Sequence, residues 1–276
     1  MNPNKLRINL LNNRLSDLTN TRGEIFLIRH AESEDNINNE FKQGDPNLSI
    51  SGKKQIILLI NEIKNINSTV GLIDEILVSP MKRTLESANY ISKVIDIPVT
   101  VLPDYYETNG YYSINLINRK VKKMDGLTSD DIMTKYNNFN VSYIKNNYWK
   151  NSYNETDENI KERCSYCKKF LLKRIKDYSE DDKIYRCLMI GHGDFMEYFL
   201  SYLINTKINV SFNNASLSQI NITKKGDKYD YIIKSLNNCR YLETLQKNIE
   251  YDNINDNIVK IKKEINEINK NPYVIE

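Results

Sequence analysis

The chain contains two histidines, and each closes a short apolar run. His30 ends Glu24-Ile25-Phe26-Leu27-Ile28-Arg29-His30, and His192 ends Cys187-Leu188-Met189-Ile190-Gly191-His192. Such runs read as buried strands, and in open α/β sheets ligands bind beyond the carboxyl ends of the strands. One histidine in that position is more often structural than catalytic. When both histidines of a chain sit there, a shared site is the better reading. Arginine follows the same logic: Arg29 directly precedes His30, and Arg83 comes three residues after Pro80 in Ser79-Pro80. Ser79 reads as a helix N-cap and Pro80 as the first helical residue. Arg83 then lies in a first turn, where free N–H groups and the helix dipole attract anions. Its guanidinium adds a planar fork matched to phosphate oxygens. Alone, Arg83 would be a solvated helix residue; two histidines and two arginines at one sheet edge suggest an oxyanion site. Glu107, in Leu102-Pro103-Asp104-Tyr105-Tyr106-Glu107-Thr108-Asn109-Gly110, is the acid–base candidate. Asp104 and Glu86 compete with it, but Glu107 follows a strand end and precedes a turn-like Thr108-Asn109-Gly110.

The elements that must carry these residues alternate apolar runs with amphipathic stretches, the βαβ pattern of a mostly parallel sheet. Strands are expected at 24–28, 73–78, 97–102, 186–190, 216–223 and 229–235, the last two joined by a turn at Gly226-Asp227. Helices are expected at 51–66, 82–94 and 193–204. The interval between the third and fourth strands has no clear strand and is too long for a bare crossover. It is expected to carry helices at 128–136 and 160–178 as a cap beside the sheet. The fold class is thus α/β: three layers, a mostly parallel central sheet with helices on both faces, a helical cap insertion and a C-terminal helix. Residues 1–240 form the α/β domain, with the cap at about 111–182, and residues 241–276 form a helical extension. In that extension Tyr251, Ile254, Ile258, Ile261, Ile265 and Ile268 recur at three- and four-residue steps. This is an a/d seam that either docks on its own domain or pairs in a homodimer.

Composition narrows the function classes. The 276 residues carry 39 Lys+Arg against 36 Asp+Glu, and a net charge of +3 does not suggest a nucleic-acid surface. No apolar run approaches the roughly 20 residues that span a bilayer, and no secretory signal is visible, so neither a membrane nor a nucleic acid is expected as a partner. Four cysteines are too few for a disulfide scaffold of this length. They suggest a reducing, cytoplasmic setting. Cys164-x-x-Cys167 has metal-like spacing but lies in a predicted helix with no second pair nearby, so two helix residues one turn apart is the plainer reading. No metal and no cofactor is implied. Arg119-Lys120-Val121-Lys122-Lys123 reads either as a solvated face or as a contact for a second substrate anion. Tyr105, Tyr106, Tyr111 and Tyr112 read equally as a pocket wall and as packing.

These residues carry a resemblance. Arg29-His30-Ala31-Glu32-Ser33, with Asn36, is similar to the R-H-G-E-S-x-x-N signature of the histidine phosphatase (phosphoglycerate-mutase-like) superfamily. Asp45 to Gly52 with Gln55 resembles its D-x-x-L-T-x-x-G-x-x-Q stretch, and Ser79-Pro80-Met81-Lys82-Arg83 with Ser87-Ala88 its S-P-x-x-R-A-x-x-T-A stretch. Gly191-His192-Gly193 resembles the second-histidine motif, usually S/T-H-G. The motifs come in the family's order over residues 24–223. Ala31, Ser49 and Gly191 depart from the usual Gly, Thr and Ser/Thr.

The resemblance implies His30, Glu107 and His192 as catalytic residues and Arg29, Arg83, Asn36 and Gly193 as phosphate-binding ones. His30 would take up the phosphoryl group as a phosphohistidine, with Glu107 protonating the leaving alkoxide. The implied substrate is a phosphorylated small molecule or protein. In the mutase branch the acid is followed by R-H-Y-G and a later Trp by Arg-Arg; here Glu107 is followed by Thr108-Asn109-Gly110 and Trp149 by Lys150-Asn151. That favours phosphatase chemistry. A phosphoglycerate-type mutase, or a scaffold protein of the same fold assembling through its C-terminal helix, is the alternative.

Overall fold

The computed structural model of the chain describes residues 20–37, 41–42, 44–110, 112–115, 117, 120–123, 125–145, 155–179 and 183–243. Seven strands form one sheet. Its parallel centre consists of β1 (Thr21–Arg29), β8 (Tyr185–Gly191), β3 (Glu75–Val78), β4 (Val99–Val101) and the two-residue edge strand β7 (Phe139–Asn140). On the other edge β9 (Leu217–Lys225) and β10 (Lys228–Asn238) run antiparallel, joined by a turn in which Gly226 takes φ +60°. The expected hairpin therefore forms where the sequence placed it.

The strand side chains alternate between two cores, so helices must cover both faces. Phe26, Ile28, Ile76, Val78, Leu188 and Ile190 point into one core; Ile25, Leu27, Leu77, Cys187 and Met189 point into the other. The first core is covered by α2 (Ile50–Thr69) and α3 (Lys82–Ile95), which contribute Ile56, Leu59, Ile63, Leu85, Ala88 and Ile91 at helical spacing. The second is covered by α5 (Asp157–Ser179) and α6 (Gly193–Ile204), through Cys164, Cys167, Leu171, Phe195, Phe199 and Leu203. Cys164 and Cys167 are buried free thiols in that core, in line with their reading as neighbouring helix residues.

The structure adds to the interval after β4. Besides α4 (Ser129–Lys135) and α5 it holds β5 (Tyr112–Asn115) and β6 (Val121–Lys123), which with β2 (Phe41–Lys42) make a separate antiparallel sheet in the order β2-β5-β6. These strands have two to four residues each, too few for alternation to register in a sequence. The helix α5 lies on the main sheet rather than in the inserted segment. A short helix α1 (Glu34–Ile37) follows the end of β1. Arg119, Tyr111 and the seam from Tyr251 to Ile268 lie outside the described residues. Of the proposed extension, residues 241–243 are described; Tyr241 and Leu242 complete a 3-10 turn, Arg240–Leu242. There Tyr241 and Leu242 pack on the first core and the Tyr241 hydroxyl donates to the Ala215 carbonyl. Among the described residues no helix is long and apolar enough to cross a membrane.

Candidate active site

The two histidines meet because β1 and β8 are parallel neighbours in register, Arg29 opposite Gly191. Paired strands lie about 4.8 Å apart, so the residues that follow them emerge side by side. The His30 N–H donates to the Gly191 carbonyl at 2.9 Å, continuing the ladder, and the rings stand 5.3 Å apart between centroids, tilted by 55°. The His30 Nδ1 lies 2.7 Å from the Ala31 carbonyl. A carbonyl can only accept, so Nδ1 carries the proton and the lone pair is left on Nε2, which makes no hydrogen bond to a described residue. His192 is fully buried, with Nε2 2.7 Å from the Ser79 hydroxyl and Nδ1 without a partner among the described residues.

Ser79 does not cap the helix that follows it. The N-cap of α3 is Met81, and Ser79 at the end of β3 instead holds His192. Arg83 remains in the first turn of α3 and is buried. Asp45, its carboxyl pushed up to about 6 mainly by burial, accepts from the Lys82 N–H at 2.7 Å and fixes that turn. Neither Arg29 nor Arg83 forms an ion pair with a described residue. Arg29 donates through Nη1 to the Phe212 carbonyl, and its Nε has no partner among the described residues. Burial first, then the Arg83 and Arg29 charges, hold the His30 pKa well below its ordinary value; His192 is lowered by burial, Arg83, His30 and Arg29. Both rings are therefore neutral at physiological pH, the state in which imidazole has a free lone pair.

Glu107 reaches the same place from the end of β4. Its Oε1 accepts from the Phe195 N–H at 3.0 Å, in the first turn of α6, and from the Thr108 N–H at 2.9 Å. Burial and the Asp194 charge raise its pKa, against Arg83 and those two N–H donors. A carboxyl so placed keeps its proton to higher pH than an exposed one, as a general acid requires. Of the competitors, Glu86 binds the Leu48 N–H and Lys53, while Asp104 is raised mainly by burial and lies near Arg163.

Asn36 is exposed, and its amide oxygen is engaged by the Ser33 N–H (2.9 Å), the Ser33 hydroxyl (3.0 Å) and Asn214 Nδ2 (3.1 Å). Only its amide nitrogen remains for a ligand. Gly193 opens α6, and a Cβ there would meet the Arg29 guanidinium at 3.5 Å, an ordinary contact. At Gly191 the space is taken: a Cβ would fall 2.4 Å from the Tyr105 ring. The departure from Ser/Thr is thus matched by a buried tyrosine that fills the volume. Tyr105 and Tyr106 are both packing residues. At Gly52 a Cβ would lie 2.0 Å from the Glu32 carbonyl oxygen. Around that contact Ser49 donates to Glu32 Oε1 (2.6 Å) and the Glu32 N–H donates to Gln55 Oε1 (2.9 Å), so these motif residues clamp the loop after His30 onto α2.

Sequence reading missed Ser79 as the partner of His192, Asn214, whose amide donates to the His30 carbonyl at 3.2 Å, and a buried pair, Glu155 and Arg163, behind the Glu107 loop. Among the described residues no group of three or more His, Cys, Asp or Glu side chains gathers as a metal site would.

A sequence model of the histidine phosphatase superfamily (branch 1) matches residues 25–234. No curated protein sequence matches the chain. Among solved structures, a mycobacterial glucosyl-3-phosphoglycerate phosphatase in complex with VO3 is 15% identical over 79% of this chain and 100% of its own, with a TM-score of 0.54. A phosphoserine phosphatase variant from Entamoeba histolytica, bound to phosphoserine, is 18% identical over 80% of this chain and 99% of its own, with a TM-score of 0.52. At these identities the likeness is one of fold.

Proposed function

The chain belongs to the histidine phosphatase superfamily (branch 1), and from that premise we propose that it hydrolyses phosphomonoesters through a phosphohistidine on Nε2 of His30. The observation that carries this reading is the paired rings, with Nδ1 of His30 donating to Ala31 and Nε2 free. Nε2 attacks phosphorus in line; the N–P bond forms as the P–O bond to the leaving group breaks. Glu107 delivers its proton to the departing alkoxide, giving the free alcohol. Water then attacks the phosphohistidine, Glu107 takes up its proton, the N–P bond breaks and inorganic phosphate leaves. Arg29, Arg83 and His192 surround the equatorial oxygens, where the transferring group carries its charge. The Asn36 amide nitrogen, left over by its oxygen's three donors, and the Gly193 N–H are the further donors assigned to the phosphoryl group. The substrate class is a phosphorylated small metabolite or protein.

The test is turnover of p-nitrophenyl phosphate with trapping of the intermediate. The expected result is phosphate release that survives EDTA, with a phosphoryl group bound to protein that is acid-labile and absent in His30→Ala. Metal-dependent turnover, or turnover surviving His30→Ala, would refute it. Incubation with a phosphoglycerate and a bisphosphoglycerate primer separates the mutase: isomer formation exceeding phosphate release would replace hydrolysis by mutation.

A further inference from the structure

We propose that the buried Glu155–Arg163 pair is the positioning unit for Glu107, fixing the acid–base carboxyl against the start of α6 without adding net charge to the site. The inference rests on the hydrolytic reading above. Arg163 projects from α5 and is buried, as is the Glu155 side chain. Its Nε and Nη2 donate to the two oxygens of Glu155, both at 2.7 Å, a bidentate fork that a lysine cannot reproduce. Its Nη1 donates to the carbonyls of Asp104 (2.9 Å) and Tyr106 (2.8 Å), on the approach to Glu107. Glu155 holds the departure: its carboxylate accepts from the Asn109 N–H (3.2 Å) and the Tyr106 hydroxyl (3.1 Å), while its own N–H donates to Asn109 Oδ1 (2.8 Å). The loop is thus tied on both sides of Glu107. Asn109 sits at φ +52°, a left-handed conformation that persists in a non-glycine residue when its surroundings over-determine it.

The same guanidinium also orders the other partner of the carboxyl. It stacks 3.8 Å from the Tyr106 ring centroid and 4.2 Å from that of Phe195, and Phe195 supplies the N–H that binds Glu107. One cation therefore sets the loop that presents the carboxyl and the residue that receives it. Because Glu155 neutralises Arg163, this bracing leaves Glu107 free to hold its proton.

A displaced carboxyl matters most when the leaving group needs a proton. The full-length protein and the variants Glu107→Gln, Arg163→Lys, Glu155→Gln and Asn109→Gly would be compared on glycerol 2-phosphate and on p-nitrophenyl phosphate. The readout for the latter is the pre-steady-state burst of p-nitrophenolate, which reports phosphorylation alone. For Arg163→Lys and Glu155→Gln the expected loss in kcat/KM on the alkyl ester is ~10- to 100-fold, with a burst rate within about threefold of the parent. Glu107→Gln should show the same asymmetry, more strongly. Asn109→Gly keeps the left-handed backbone but deletes the amide that binds Glu155, and should lose about threefold on the alkyl ester alone. Should Arg163→Lys fail to fold by circular dichroism, Asn109→Gly decides. Equal losses on both esters, with Glu107→Gln still asymmetric, would overturn the positioning role. Equal losses in Glu107→Gln itself would overturn the acid–base reading and the inference with it.

Discussion

The strands β1, β3 and β8 carry buried or half-buried charge at both ends, and the two ends treat it differently. At their N-terminal end every carboxylate has a partner. Glu24 pairs with Arg186 Nε at 2.6 Å, and Asp74 accepts from the Arg186 N–H at 2.7 Å and the Tyr178 hydroxyl at 3.0 Å. Glu75 meets Arg174 at 3.0 Å, Thr100 at 3.3 Å and the Tyr185 hydroxyl. At the C-terminal end two guanidiniums and two imidazoles converge with no carboxylate in ion-pair contact among the described residues. Paired buried charge is what a stable fold tolerates; unpaired charge of one sign costs stability and marks a place waiting for an anion. The contrast separates residues that hold the sheet from residues proposed to act on a ligand.

Substitutions can break or sharpen that contrast. The largest effect is expected from His30→Ala, which should lower phosphatase turnover more than ~10³-fold. Retained turnover would place the nucleophile elsewhere. Next, Arg83→Gln should lower kcat/KM by about 10²-fold. It should also move the acid limb of the pH–rate profile upward, because losing the positive neighbour lets His30 bind a proton at higher pH. An unmoved limb would show that Arg83 does not act on His30. At the opposite end, Glu75→Ala should cost ~2 kcal/mol in chemical denaturation, toward the low side because Arg174 is partly exposed. Activity per folded molecule should be unchanged; a loss of kcat there would erase the distinction between the ends. The smallest effect is expected for Ser79→Ala, which frees His192 Nε2 and should lower kcat by about tenfold with little change in KM.

Much of this was legible beforehand because the signals are local. Helix α6 was expected at 193–204 and runs Gly193–Ile204, where Gly193 opens it and Asn205 closes it in a left-handed cap. The continuous apolar runs of β1 and β8 announced strands buried on both faces. Other features carry no local mark. The strands β5 and β6 are too short to show a period. Ser79-Pro80 has the look of a helix start, and only the neighbouring strand reveals that the hydroxyl faces His192. Glu155 and Arg163 look like ordinary charged residues at a helix beginning; their burial depends on the loop from Asp104 to Asn109 folding over them.

By itself the sequence determined which side chains end strands, which open helices, and that two imidazoles and two guanidiniums could gather at one sheet edge. Only the tertiary structure decided that β1 and β8 are neighbours with Arg29 opposite Gly191, that Tyr105 fills the space beside Gly191, and that an ion pair ties down the loop on both sides of Glu107. Propensity and capping act over a few residues, whereas strand order and buried contacts are settled by covering both faces of the whole sheet at once.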